Sequence, residues 1–224
     1  MDKLCYIFLY FVFYSIIGYV CEVFYVYLGD KKWVNRGFLH GPYIPIYGNG
    51  AMIVSLALMH VKKDSFIIFL VGLVLCSILE YITSYVMEKI FHNRWWDYSE
   101  RKYNLNGRVC LQNSVLFGLG SVAIIYVFNP LFNKLYNALG FKTALYVAIV
   151  LFIIMLVDFS ISFFEAIKVS NIASHLDKFM EEFEKKKEST KRIKTRLMEA
   201  YPYLVKRNFK FLDKIKNYKK KSKN

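Results

Sequence analysis

The sequence lacks the spacings that announce a metalloprotein or a nucleotide-hydrolysing enzyme. Its four cysteines, Cys5, Cys21, Cys76 and Cys110, stand singly in or beside apolar runs. Neither a disulfide scaffold nor a thiolate metal site is indicated, and they read as small buried apolar residues. The histidines show no His-x-x-x-His or comparable spacing, so His40 and His92 read as interfacial side chains and no metal is expected. No G-x-x-x-x-G-K-[ST] segment occurs, which excludes a Walker loop for ATP phosphates on this chain. Acidic residues are few, 17 against 31 lysines and arginines, yet no nucleic-acid motif accompanies the net charge of +14. Only four prolines are present, and two of them fall within residues 34–50.

What the chain has in excess is apolar surface. Hydrophobic residues make up 56 % and aromatics 18 % of 224 residues, too much for an ordinary soluble exterior. The mean hydropathy is +0.28 although the last quarter is densely charged. Five segments, 4–28, 42–60, 66–91, 109–128 and 143–165, meet or approach the roughly 20 apolar residues that a membrane-crossing helix needs. The first run is long and leads into further spans, so it is expected to be a retained helix and not a cleaved leader. The fold class predicted is all-α, a polytopic transmembrane helix bundle of about five spans over residues 1–165. Residues 166–224 follow as a basic tail.

That tail holds 18 of the 31 basic and 7 of the 17 acidic residues, so it carries +11 of the +14. Positive charge flanks the cytoplasmic ends of spans. The expected localisation is the cell membrane, multi-pass, with the N-terminus outside and the C-terminus cytoplasmic. Ile172, Leu176, Phe179, Phe183, Ile193 and Leu197 recur at helical spacing, so the tail reads as an amphipathic helix. Pro202 interrupts it, and the terminal KNYKKKSKN suits either anionic lipid headgroups or solvent.

The second span is irregular by composition. VNRGFLHGPYIPIYGNG contains Gly37, Gly41, Gly48 and Gly50 with Pro42 and Pro45. Proline donates no backbone hydrogen bond and disfavours helix before it. The stretch is therefore expected to enter as a broken or re-entrant segment, which is tolerated only where protein or water satisfies its backbone.

Charges inside the spans are the candidate site. Glu22, Glu80 and Asp158 lie about 9, 16 and 10 Å from the cytoplasmic ends of their helices at 1.5 Å rise per residue. Each sits on a stripe of small or polar residues: Ser15, Gly18 and Glu22; Ser77, Glu80, Ser84 and Glu88; Asp158, Ser162 and Glu165. Arg36 and Arg108 fall at the same mouth, with Asp97 nearby and Asn113 opening the fourth span. Intramembrane charges mark functional sites by default, and buried pairs that merely hold helices in register are the bland alternative. The expectation is a wetted pocket on the cytoplasmic side, closed by an apolar outer half. Trp33, Trp95, Trp96 and Tyr98 suit headgroup depth, where amphipathic rings anchor helices.

VNRGFLHGPYIPIYGNG, LEYITSYVMEKIFHNRWWDYS and NLNGRVCLQNS, in that order, resemble the putative ABC-transporter type IV family of bacterial membrane proteins. The likeness covers about residues 5–165 and leaves out the tail. It falls on Glu22, Arg36, Gly37, Gly41, Pro42, Pro45, Gly48, Glu80, Trp95, Trp96, Asp97, Asn106, Gly107 and Arg108. It implies a multi-span, permease-like protein and brings neither a substrate nor a catalytic residue.

Three functions remain in view. The first is a permease-like protein with a cytoplasm-facing polar cavity, in which Glu22 and Glu80 bind a cation or proton or orient arginines toward an anion. It has no cofactor, forms a homo-oligomer, and requires a separate ATPase subunit if ATP drives it. The second is an intramembrane enzyme acting on a lipid-linked anionic substrate clamped by Arg36, Arg94 and Arg108. The third is a scaffold whose tail binds partners or anionic lipid.

Overall fold

The computed structural model describes residues 2–31, 33, 37–58, 64–92 and 94–200. In chain order the helices are α1 (Asp2–Asp30), α2 (Pro45–Ala57) and α3 (Ser65–Phe91), then α4 (Leu111–Ala123), α5 (Asn129–Leu139) and α6 (Phe141–Ala200). A π-helical turn, Ile124–Phe128, joins α4 to α5, and a two-stranded hairpin, β1 (Asn104–Leu105) and β2 (Val109–Cys110), precedes α4. Helices dominate because an apolar run removed from water can pair its backbone only with itself.

Four stretches among the described residues are long and apolar enough to cross a membrane: Lys3–Leu28, Ser65–Phe91, Leu111–Leu139 and Phe141–Asn171. At 13 residues, α2 is not among them. It spans about 20 Å, less than the hydrocarbon core. Its start lies beside the middle of α1, where the Ile44 amide donates to the Ser15 carbonyl at 2.9 Å. Its far half lies against the start of α1, where the Tyr10 and Ser55 hydroxyls meet at 2.5 Å. Residues 37–44 form a non-helical lead-in, and Pro45 occupies the first turn of α2, where its missing N–H costs nothing. The segment between α1 and α3 is thus half irregular and half helical over its described residues 37–58.

Successive passages alternate in direction. Ser77 pairs with Ser114 while Gly72 abuts Ser121, so α3 and α4 run antiparallel. Phe8 packs on Phe152 and Val12 clusters with Met155, so α6 runs parallel to α1. Close approach of α1 and α2 rests on two glycines. A Cβ at Gly18 would overlap the Tyr47 ring, and one at Gly48 would overlap Ser15 Oγ and Phe11.

The stretch after residue 128, which the expected spans leave as a connector, continues the line of α4 as the helix α5. Asn129 and Asn133 face α1. Asn129 Oδ1 accepts from both Tyr10 and Tyr14 at 2.7 Å, and Asn133 Oδ1 accepts from Tyr6 at 2.6 Å. Tyr10 and Tyr14 are buried, with Phe132, Leu9 and Ala148 in the same cluster. The half of the bundle near the N-terminus therefore holds a ladder of phenols and amides.

The bundle unit ends at Ser170, and Asn171–Asn224 form a second unit. Within the latter, residues up to Ala200 are helical, Phe179 and Phe183 are exposed, and Lys185 pairs with Glu181 at 2.6 Å. Leu204–Tyr218, read from the sequence as a second amphipathic piece, lies outside the described residues.

Candidate functional site

The connector after α3 is built to deliver side chains back into the bundle. α3 stops at His92, in the left-handed region with φ 54°, whose amide donates to the Glu88 carbonyl at 2.8 Å. The hairpin then turns on Asn106 and Gly107, both at positive φ (55° and 69°) and closed by the Arg108 amide donating to the Leu105 carbonyl at 3.0 Å. Asn-Gly is the pair this tight, left-handed turn favours. Trp96 Nε1 donates to the Arg108 carbonyl at 3.0 Å, and the Tyr98 amide to the Gly107 carbonyl at 2.8 Å. The two limbs of the connector are fastened together.

Tyr98 turns from this connector into the protein. Its hydroxyl donates to Glu80 Oε1 at 3.1 Å and accepts from Asn113 Nδ2 at 2.7 Å. Glu80 is 5 % exposed, and its second oxygen, Oε2, has no hydrogen-bond partner among the described residues. Burial, then the Glu80 charge and hydrogen bond, then the Glu22 charge hold the Tyr98 phenol well above its ordinary range. Glu22 is thus within electrostatic reach of the same group. Its Oε2 accepts from the Tyr47 hydroxyl at 2.8 Å, and Tyr47 feels both carboxylates.

One layer toward the connector, Arg108 is engaged on all sides. Its Nη2 lies 2.8 Å from Glu88 Oε2 and its Nη1 3.4 Å from Ser84 Oγ, and its guanidinium lies 5.7 and 5.3 Å from the Tyr81 and Tyr85 ring centres. Arg94 shares Glu88 at 3.0 Å, approaches Asp97 at 3.8 Å and donates to the Asn106 carbonyl at 3.2 Å. Asp97 is exposed and accepts from the Ser99 hydroxyl and amide at 2.6 and 2.9 Å. Those bonds, the hydroxyl first, hold its carboxyl below the ordinary range.

Asp158 belongs to a different group. Its Oδ2 accepts from the Gly41 amide at 2.9 Å and the Tyr43 hydroxyl at 2.6 Å. Its Oδ1 accepts from the His40 amide at 3.1 Å and the Ser162 hydroxyl at 3.2 Å. His40 also brings its Nε2 to 3.1 Å from Glu165. One carboxylate on α6 thereby satisfies two backbone amides of the irregular lead-in. This supplies the backbone partners that a non-helical segment at membrane depth requires.

The predicted residues therefore fall into three places. Glu22, Glu80 and Asn113 share one group. Arg108 and Asp97 belong to the ion-pair layer beside it. Asp158 serves the lead-in with Gly41. Pro42 is exposed, while Gly48 and Gly50 are buried on α2. Gly37 begins the described part of the lead-in, and Arg36 lies outside the described residues. Sequence reasoning missed Tyr47 because a tyrosine in an apolar run counts as hydrophobic, and it took Tyr98, in a polar connector, for an interfacial ring. The available signal was that a buried phenol needs a hydrogen-bond partner, and the buried carboxylates supply one. Among the described residues no cluster of three His, Cys, Asp or Glu could hold a metal ion.

Residues 9–163, well over half of the chain, match the family model described as putative ABC-transporter type IV. No curated protein and no solved structure matches the chain.

Proposed function

The chain belongs to the putative ABC-transporter type IV family, and on that premise we propose that it is the membrane-embedded subunit of a transporter. Its solute site is the Glu22–Tyr47–Tyr98–Glu80 group, reached from the cytoplasm. The observation that carries this reading is Glu80 Oε2, a buried carboxylate oxygen without a hydrogen-bond partner among the described residues. Leaving such an atom unpaired in the interior is costly, and the cost is recovered only when something occupies the position.

Sidedness follows from charge. The described lead-in and the hairpin connector open at the end of the bundle where α1 and α3 finish. That connector carries Arg94, Arg101, Lys102 and Arg108, and the tail adds 18 basic residues. Positive charge at that end supports a cytoplasmic face there and an N-terminus outside. Four membrane-length helices and the shorter α2 provide few walls for a pathway, which supports assembly into a homo-oligomer. The sequence has no Walker loop, so if ATP drives transport the hydrolysis belongs to a separate subunit docking on the cytoplasmic face. The exposed Phe179 and Phe183 and the surrounding lysines favour anionic lipid as the tail's surface.

The arrangement lends little to an intramembrane phosphate-handling enzyme. Arg94 and Arg108 are already spent on Glu88 and Asp97. The test is purification in mild detergent from the native membrane, followed by identification of co-purifying subunits and ATP hydrolysis in proteoliposomes. The reading expects an ATPase subunit at fixed ratio, with hydrolysis impaired by Glu80→Gln. A chain that purifies alone and leaves hydrolysis by every candidate subunit unchanged sinks it.

A further inference from the structure

We propose that His40 is a pH-operated latch, fastening the irregular lead-in to α6 when its ring is charged and loosening it when the ring is neutral. Both ring nitrogens face carboxylates. Nδ1 lies 3.2 Å from Asp158 Oδ1 and 2.9 Å from Ser162 Oγ, and Nε2 lies 3.1 Å from Glu165 Oε2. An ionised carboxylate only accepts, and a neutral imidazole carries a single N–H. The imidazolium, with an N–H on each side, serves both carboxylates at once.

A neutral ring is one proton short. With the proton on Nδ1, the Nε2 lone pair faces Glu165. With the proton on Nε2, the Nδ1 lone pair faces Asp158. Ser162 relieves that clash only by turning toward the ring the proton it gives Asp158 at 3.2 Å. Either tautomer gives up one carboxylate contact. Imidazole is the side chain that changes charge between about pH 5 and 8. The linkage then has one sign: the latch is complete in acid and weakens as the pH rises.

The surroundings favour this arrangement. Asp158, Ser162 and Glu165 are spaced by four and three on α6, which sets them on one face. α1 meets the lead-in with Val12 and the Ser15 carbonyl, while Phe91 of α3 and Trp95 of the connector pack on Phe38, and all of these contacts are uncharged. The Tyr43 phenol donates to Asp158 Oδ2 at 2.6 Å and belongs to a class that titrates near pH 10. The His40 and Glu165 side chains are 59 % and 61 % exposed and that of Asp158 12 %. Glu165 is therefore the arm released first, and Asp158 stays as the anchor on the two backbone amides.

The lead-in runs straight into α2, whose first turn carries the Tyr47 phenol that donates to Glu22. Slack in the lead-in thus reaches the proposed solute group. That consequence rests on the transport reading, whereas the latch itself does not.

The experiment uses the full chain in lipid nanodiscs, with no other subunit, carrying Pro42→Cys. A water-soluble maleimide labels it between about pH 5 and 8, the range over which imidazole titrates. Peptide mass spectrometry reads residue 42 apart from the native cysteines. Each rate is divided by that of a short peptide with the same flanking residues, so the ionisation of the thiol cancels. Protection of residue 42 is expected to fall about threefold to fivefold from acid to alkaline pH, the scale of one exposed ion pair. In His40→Gln protection should be low and flat. Glu165→Gln, at an exposed position, keeps the test independent of folding. Its amide either accepts from an N–H or donates to a lone pair, so protection should stay flat there too. A wild-type profile without pH dependence overturns the proposal, and so does a fall that persists unchanged in Glu165→Gln. A flat wild-type profile strikes the latch and leaves the solute site standing. A working latch in a chain that recruits no ATPase subunit strikes the transport reading alone.

Discussion

Arg108 reaches Glu88 and leaves Glu80 to a phenol. The Arg108 Nη2–Glu88 Oε2 distance is 2.8 Å, while Glu80, about two turns earlier on the same helix, accepts from Tyr98 at 3.1 Å. The sequence places both arginine and carboxylate on the same mouth, and their pairing decides the chemistry. A guanidinium on Glu80 would have made a neutral strut. Its absence from that contact leaves the Glu80 carboxylate to neutral donors, with an ion-pair layer between it and the connector.

The first prediction concerns that layer. Arg108→Gln should lower stability by about 2 kcal/mol, the scale of a charge-assisted hydrogen bond that is mostly buried. Hydrogen exchange should rise through residues 97–110, since Arg108 ties the hairpin to α3. Arg108→Lys should not restore protection, because an ammonium cannot both reach Glu88 and stack flat over Tyr81 and Tyr85. Wild-type exchange in Arg108→Gln would show the pair to be idle.

Asp158 should prove structural. Asp158→Ala removes acceptors from the Gly41 and His40 amides and the Tyr43 hydroxyl. A loss of about 3 kcal/mol is expected, since buried partners are left unsatisfied. Asp158→Asn, which keeps one oxygen, should fall between. A cysteine placed at Pro42 should react faster with a water-soluble maleimide in the alanine variant. Unchanged reactivity would contradict a role in pinning the lead-in.

The phenol ladder gives a third expectation. Asn129→Leu keeps the branched shape and deprives Tyr10 and Tyr14 of their shared acceptor. Thermal unfolding in detergent should show a loss of about 1–2 kcal/mol, the range of interhelical hydrogen bonds in membranes. A neutral effect would mean that the hydroxyls find other partners at no cost.

Acid should loosen the connector through Asp97. Its carboxyl is held below the ordinary value of about 3.9 by Ser99, and a group depressed in the folded state stabilises only while ionised. The contribution is therefore complete above about pH 4 and is lost as pH falls through the lower folded value. Trp95 and Trp96 fluorescence should report this in acid, and Asp97→Asn should remove that part of the pH dependence.

Much of the architecture could be read in advance, and the reasons for the gaps are physical. Pro42, Pro45 and the glycines revealed an irregular second passage because their backbone chemistry is local. That Asp158 satisfies it could not be read, since the two are more than a hundred residues apart. The Asn106–Gly107 pair carried a hairpin signal that hydropathy conceals. Extension of the fourth passage through α5 was obscured because Asn129 and Asn133 resemble loop residues until tyrosines on α1 are there to bond them. Glu22 and Glu80 stood out as charges in apolar runs, whereas Tyr47 was hidden by its hydrophobicity and Tyr98 by its place beside two tryptophans in a polar connector.

The central claim is that Glu22 and Glu80 act as one site. A double-mutant cycle on ATP hydrolysis with the co-purifying subunit in proteoliposomes tests it most directly, using Glu22→Gln, Glu80→Gln and the double variant. One shared site predicts that either single change abolishes most of the hydrolysis and that the second change adds almost nothing. Independent, additive losses from the two substitutions, or full hydrolysis retained in the double variant, would contradict it.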